Sequence, residues 1–327
     1  MSNPEGEAKP KGEGSTRVVV AALIINLLIA GFKFFAAFVS RSSAMLAEAA
    51  HSLADTCNQI FLLIGMRKAA RKPDLKHPFG YGPETYFWAF MVALCIFTLG
   101  CGFSLHEGFE KIFHHDEASQ KLGDIRWAVG VLLMSVVLES YSLSVAMKEF
   151  RHLRAGRGIR RTLEEARDPT VLTVLFEDLA ALLGLAMALG GILLTHYTGS
   201  PVWDGVASVL VGLVLGAVAV MLARDSKSLL IGKGVIPADD ELIRAIVTAN
   251  ADVAEVVHLR TLYLGPTEAL AAIKVRFVGN LDTRTLEARI NEIEAALRAK
   301  LPFLRRIYIE PGFDESVGRG DAAARLA

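Results

Sequence analysis

Three cysteines are few for a chain of 327 residues, and Cys57, Cys95 and Cys101 all fall inside apolar runs without CxxC spacing. That pattern excludes a disulfide framework and a zinc knuckle, and it reads the three thiols as small buried hydrophobes. A surplus of charge is missing too. Lys+Arg and Asp+Glu stand at 35 each, so the balance offers nothing to a nucleic-acid partner. No HExxH signature occurs, and no internal repeat stands out. Residues 1–16 contain no apolar residue beyond Met1 and Ala8, which is too little to bury a core, so a disordered tail is expected there. The same stretch lacks the n-region, short apolar h-region and cleavage site of a secretory signal.

What the chain does have is long apolar runs. Hydrophobic residues make up 52% of it, unevenly spread. Six runs, approximately 18–39, 44–66, 86–105, 125–147, 171–195 and 203–223, reach the roughly 20 residues that span a bilayer as a helix. Connectors as short as Ser40-Arg41-Ser42-Ser43 fit a helical bundle in lipid better than buried helices of a large soluble protein. The expected fold is therefore mainly α, a six-helix transmembrane bundle over 17–234. Basic residues set its orientation. Arg67, Lys68, Arg71, Lys72 and Lys76 follow the second run, a stretch from Lys148 to Arg161 follows the fourth, and Arg224 with Lys227 follows the sixth. The opposite connectors are short or acidic, as in His114-His115-Asp116-Glu117. By the positive-inside rule both termini are cytoplasmic, with a plasma or inner membrane as the default. The basic stretch 151–161 can also contact anionic lipid.

From Val235 the pattern becomes that of a small soluble domain, 235–314, in the order αββαβ. Helices are expected over 241–249 and 283–299, with Asp282 as N-cap of the second. Strands are expected over 253–264, 268–278 and 306–310, the first two meeting at Gly265-Pro266. Residues 315–327 read as a disordered tail.

Polar groups inside apolar spans are the informative set, because they are costly in lipid. In the second span Glu48, His51, Asp55 and Gln59 recur at helical spacing and line one face. The fifth span carries Glu177 and Asp178 side by side, the fourth Glu139, the first Lys33, and the start of the sixth Asp204. An imidazole at i and a carboxylate at i+4, completed by carboxylates of another helix, can close on one divalent ion. A proton relay without metal and a hydrogen-bonded structural cluster use the same residue types, and the spacing alone leaves all three open.

The stretch from Ser43 to Asp55, with Asp74-Leu75-Lys76-His77-Pro78-Phe79-Gly80-Tyr81-Gly82-Pro83-Glu84 in the following loop, resembles the cation diffusion facilitator family, most of all its zinc-transporter branch. The resemblance covers nearly all of the chain beyond Thr16. It implies a divalent-metal/proton antiporter with no resident cofactor, Zn²⁺ as the transported ion, protons as counter-ion, and a ferredoxin-like, metallochaperone-like cytoplasmic domain that pairs two subunits as a homodimer. Carried over by position, it makes His51 and Asp55 half of the transport site and Asp178 a third ligand. Relatives have His or Asp four residues before that aspartate, where this chain has Val174. Glu177 is the substitute at hand, though it points about 100° away from Asp178 on an ideal helix. In the loop, Asp74 and His77 match a secondary metal position of some relatives, with Tyr81 where a further His stands. In the C-terminal domain only His258 and Glu310 fall near metal positions.

Loading an ion onto such a site displaces protons from its ligands, which couples metal efflux to proton entry. One imidazole among carboxylates leans toward Mn²⁺ or Fe²⁺, while the family branch points to zinc. A Mn, Fe or Co transporter of the same family, an intramembrane metalloenzyme with Glu177 as general base, and a metal sensor acting through the tail domain are the competing readings.

Overall fold

The computed structural model of the chain describes residues 13–40, 43–113, 125–154, 162, 167–200, 202–279 and 281–312. It divides into a larger unit, Met1–Lys72 with Pro83–Lys227, and a smaller one, Pro73–Gly82 with Ser228–Ala327. Residues 1–12 of the expected N-terminal tail, the expected tail over 315–327, the His114-His115-Asp116-Glu117 cluster and Arg157, Arg160 and Arg161 of the basic stretch lie outside the described residues.

The larger unit is helical. Its elements are α1 (Glu13–Ser40), α2 (Ser43–Ala69), α3 (Glu84–Cys95), a π-helical stretch (Ile96–Cys101), α4 (Gly102–Phe113), α5 (Ile125–Arg154), α6 (Pro169–Thr198) and α7 (Val202–Leu230). With α3, the π-helical stretch and α4 taken as one rod, each helix covers one of the expected runs and overshoots it, because the helices continue past the apolar stretch into polar turns. α1 begins at Glu13, so the last four residues of the expected tail form its first turn. There the Ser15 hydroxyl donates to Asp168 Oδ2 at 2.7 Å. Asp168 also caps α6, accepting from the Thr170 N–H, with Pro169 preset for the first helical position. Gly199, with φ of 69°, closes the other end of α6 in the left-handed conformation.

Among the described residues, five helical stretches are long and apolar enough to cross a membrane: α1, the continuous rod from α3 through α4, α5, α6 and α7. α2 is a helix of 27 residues, but the polar face it carries keeps it out of that set.

α1 packs along α2 and α5, α2 along α3, and α5 along α6. The buried positions of α1, among them Ala22, Ile25, Asn26, Ile29, Ala30, Lys33, Ala36 and Ala37, fall at three- and four-residue steps, while Phe32, Phe35 and Phe38 face outward. On the far side, Gly108 of α4 meets Gly205 and Val209 of α7 so closely that a Cβ at either glycine would clash with the opposite backbone; small residues of this kind let helices approach in lipid. An apolar cluster joins Val18, Val19 and Ala22 of α1, Leu62 of α2, Val92 of α3, Phe150 of α5, Val171, Val174 and Leu175 of α6, and Leu222 of α7. Most of these residues come from the start of α1 and α6 and the later turns of α2, α5 and α7, toward the end of the bundle that bears the basic connectors.

In the smaller unit, α8 (Pro237–Thr248), β1 (Val253–Gly265), β2 (Glu268–Phe277), α9 (Thr283–Lys300) and β3 (Leu304–Pro311) follow the expected order. The sheet order is β1-β2-β3, with β1 antiparallel and β3 parallel to β2. Ala269, Ala271, Ile273 and Val275 of β2 are buried at period two. Segment 73–82 belongs to this unit because Gly82 lies against the Leu264 carbonyl and Gly265 of the β1–β2 turn, with no room for a side chain.

Candidate functional site

The buried stripe of α2 runs Ala49, Ser52, Thr56, Gln59, Leu62, with Asn58 beside it. Asp55 is half-buried next to that stripe, and the side chains of Glu48 and His51 lie outside the described residues. Opposite stands α6, whose residues 170–175 are buried without interruption before Glu177 and Asp178. α5 presents Leu132, Ser135, Glu139, Ser142, Ala146 and Phe150 inward at helical steps. The packing thus brings carboxylates from three helices into one polar layer. Asp55 acts electrostatically on Glu139, Glu177 and Asp178 alike.

Within that layer the two acids of α6 have different partners. Glu177 accepts from Asn58 Nδ2 through one oxygen and from Gln59 Nε2 through the other, both at 2.9 Å. Its carboxylate therefore bridges α6 to the turn of α2 that follows Asp55. Asp178 is only 1% exposed. Among the described residues its Oδ2 is enclosed without a hydrogen-bond partner of good geometry, and the Ser142 hydroxyl is the donor that acts on the carboxyl. A buried carboxylate oxygen without a donor is costly, and such an atom asks for a proton or a cation. Among the described residues no three His, Cys, Asp or Glu side chains converge closely enough to hold a metal ion by themselves. Asp55, Glu139 and Asp178 sense one another's charge without meeting at one point.

The position four residues before Asp178 is filled by apolar structure. Val174 is fully buried in the apolar cluster, so that face of α6 offers no donor atom. Asp204 is remote in role: it accepts from Lys111 Nζ at 2.8 Å, and Glu107 accepts from the same ammonium at 2.7 Å. That triad ties α4 to α7. Sequence reasoning singled out Gln59 but missed Asn58 as its partner on Glu177. The signal was available, since Asn58 follows His51 by seven residues and so returns to nearly the same helix face.

Asp74 and His77 form a turn. Asp74 accepts from the Lys76 and His77 N–H groups at 2.9 and 2.8 Å and from the Tyr81 hydroxyl at 2.7 Å. Tyr81, then the His77 N–H, hold its carboxyl below the usual range. The His77 ring stacks at 4.3 Å on Tyr81. In the sheet, His258 of β1 pairs with Lys274 of β2, and Lys274 with Glu310 of β3. Lys274 Nζ lies 3.3 Å from the Glu310 carboxylate, so a fixed cation stands between the two proposed ligands.

A family model described as the cation efflux transmembrane domain matches residues 19–231. The mitochondrial proton-coupled zinc antiporter SLC30A9 of Xenopus laevis is 32% identical over 296 residues, covering 88% of this chain and 52% of that protein. Metal tolerance protein C4 of Arabidopsis thaliana is 31% identical over 269 residues, covering 82% and 58%. The zinc transporter ZitB of Pectobacterium atrosepticum is 25% identical over 279 residues, covering 85% and 81%. The chain thus spans about half the length of the SLC30A9 relative.

Proposed function

The chain belongs to the cation diffusion facilitator family, whose transmembrane part is the cation efflux domain, and from that premise we propose that it exports a divalent metal ion, zinc first, in exchange for protons. α2 is the sixth span in this reading, carried through the bilayer by neighbours that cover its polar face. His51 and Asp55 of α2 and Asp178 of α6 hold the ion. Glu177 contributes by fixing α6 to the Asp55 turn through Asn58 and Gln59. Asp74 and His77 are turn-forming, since Asp74 already has three donors. His258 and Glu310 are surface residues of a C-terminal domain of ferredoxin-like type, through which two copies pair.

The observation that carries this reading is the buried carboxyl of Asp178, whose Oδ2 has no partner of good geometry among the described residues, beside the charges of Asp55 and Glu139. Neighbouring carboxylates in a buried layer cannot all stay ionised without a compensating cation. A divalent ion and protons supply that compensation in turn, which makes the exchange obligatory. The basic connectors mark the cytoplasmic side of the bundle by the positive-inside rule. Both termini lie on that side, in a plasma or inner membrane. Zinc is favoured because the SLC30A9 and ZitB relatives are named for it; the carboxylate-rich shell makes Mn²⁺ and Fe²⁺ the first competitors.

The test is zinc and proton flux in proteoliposomes. Asp55→Ala and Asp178→Ala are each expected to abolish coupled flux. Transport at the wild-type rate by either variant overturns the site. Competition among Zn²⁺, Mn²⁺, Fe²⁺, Co²⁺ and Cd²⁺ in the same assay ranks the cargo, and substrate turnover without ion flux would favour an enzyme.

A further inference from the structure

One buried charge has no part in that scheme. Lys33 is 5% exposed, well inside α1, and its position continues the inward stripe Asn26, Ile29, Ala30 rather than the outward phenylalanines. A lysine at the end of a span escapes by extending its ammonium to the interface; this one stays within the bundle. Glu139 is 8% exposed on the inward stripe of α5, and α1 packs along α5. Among the described residues, Lys33 is the cation that acts on Glu139, and the other charges acting there are Asp178 and Asp55. Glu139 is thus acted on both by an ammonium and by the carboxylates assigned to the metal.

We propose that Lys33 is the resident counter-ion of the transport site, acting on it beside Glu139, and that it lowers the site's affinity for metal so that the ion can leave. The inference rests on the site assignment given above. Its physical basis is a balance of charge. Among the described residues the layer holds the carboxyl groups of Asp55, Glu139, Glu177 and Asp178 against the ammonium of Lys33. With the metal gone, Lys33 offsets part of that negative charge and limits repulsion between α2, α5 and α6. With the metal present, a fixed positive charge nearby opposes the divalent ion, and in a low-dielectric interior that opposition is felt over several ångströms. A transporter gains from this, because a site that binds too tightly cannot release. If Lys33 and Glu139 served only to hold α1 to α5, breaking the pair would loosen the bundle and leave metal affinity the same or weaker. The two roles therefore predict opposite signs.

The experiment measures Zn²⁺ affinity of the full-length protein in nanodiscs, by competition with a chelating fluorophore, alongside flux in proteoliposomes. Lys33→Met is expected to tighten zinc binding by about tenfold and to slow turnover, since release becomes harder. Glu139→Gln, which leaves the ammonium uncompensated, is expected to weaken binding, and adding Lys33→Met to it is expected to recover the loss. Lys33→Gln, which keeps a donor for Glu139, must tighten binding with the same sign, and it carries the test if Lys33→Met does not yield a monodisperse protein. Zinc binding no tighter than wild type in the folded lysine variant overturns the proposal. Asp178→Ala separates the two layers of argument. If it abolishes binding while the lysine variants leave affinity unchanged, the counter-ion role fails and the site stands. If Asp178→Ala binds zinc as wild type does, the site assignment fails and takes this inference with it.

Discussion

The smaller unit buries Ile243, Val247, Leu259, Ile273, Val275, Ile293, Leu297 and Leu304 and keeps its charges outside, as in Arg276 with Glu255, Arg298 with Glu294 and Arg306 with Glu268. The larger unit reverses this around its centre. Asn26, Lys33, Ser52, Asn58, Gln59, Glu139, Ser142, Glu177 and Asp178 are buried, while Phe35, Phe38, Phe97, Leu133, Val137 and Leu213 are exposed. The outward apolar surface follows from lipid as solvent, but lipid gives no reason for a polar interior. Helices in a bilayer can approach closely through small residues, as α4 and α7 do at Gly108 and Gly205. Polar groups at the centre of the same unit are therefore retained against a cost, and the way to decide whether they serve chemistry or cohesion is to perturb each interior in turn.

The largest effect on stability belongs to the apolar interior. Leu297 of α9 is fully buried, and Leu297→Ala is expected to destabilise the smaller unit by about 2–5 kcal/mol, the usual range for truncating a core leucine. Hydrogen exchange at β2 and α9 in the full-length protein measures it; wild-type protection there would show that the core tolerates a hole. Next comes the bridge in the polar layer. Glu177→Gln keeps the volume but leaves one side-chain oxygen facing two amide donors, so one of Asn58 and Gln59 loses its acceptor. The expected cost is about 1–3 kcal/mol. Displacing the Asp55 turn is further expected to weaken zinc binding by about tenfold, as a disturbed support of a metal ligand does. A thermal melt with and without zinc separates the two contributions. A variant that loses stability but binds zinc as wild type does would reduce Glu177 to a fastener.

How far the sequence exposed this layout depends on the kind of signal. Apolar runs located all the long helices, because lipid imposes a length. The caps at Asp168 and Asp282 and the stop at Gly199 act within one turn of their own position and can be read locally. Alternation in β2 fixed its buried face for the same reason. The polar layer is different. That α6 carries two acids is plain from the chain, but that Glu177 meets the α2 amides while Asp178 turns toward Ser142 of α5 depends on how the helices are rotated against one another, which no local pattern encodes. The valine at 174 could be seen as a missing ligand; only the packing shows it sealed among Leu175, Val171 and Leu62. Lys33 was visible as an anomaly in an apolar run, yet its partner sits more than a hundred residues away on α5. The weaker hydropathy of α2 has the same origin, since a helix that serves a polar interior cannot also look like an ordinary span.

The smallest expected effect is again in the smaller unit, and it sharpens the contrast because there a charge is confined to the surface. Asp282 accepts from the Thr285 N–H at 2.8 Å at the start of α9. That backbone bond is the first cause holding its carboxyl below the usual range. A carboxylate whose folded-state value is depressed contributes stability above its unfolded value, near 3.9, and loses the contribution as the pH falls through the folded one. Asp282→Ala should therefore raise hydrogen exchange at the first turn of α9 near pH 7, after correction for intrinsic rates. The difference from wild type should shrink as the pH is lowered past 4. Neither zinc affinity nor flux should change at any pH where the site is loaded. A difference that persists unchanged into acid would mean that the cap acts through shape rather than charge. A change in zinc affinity would mean that the two interiors, one apolar and one polar, are energetically linked through the chain that joins them.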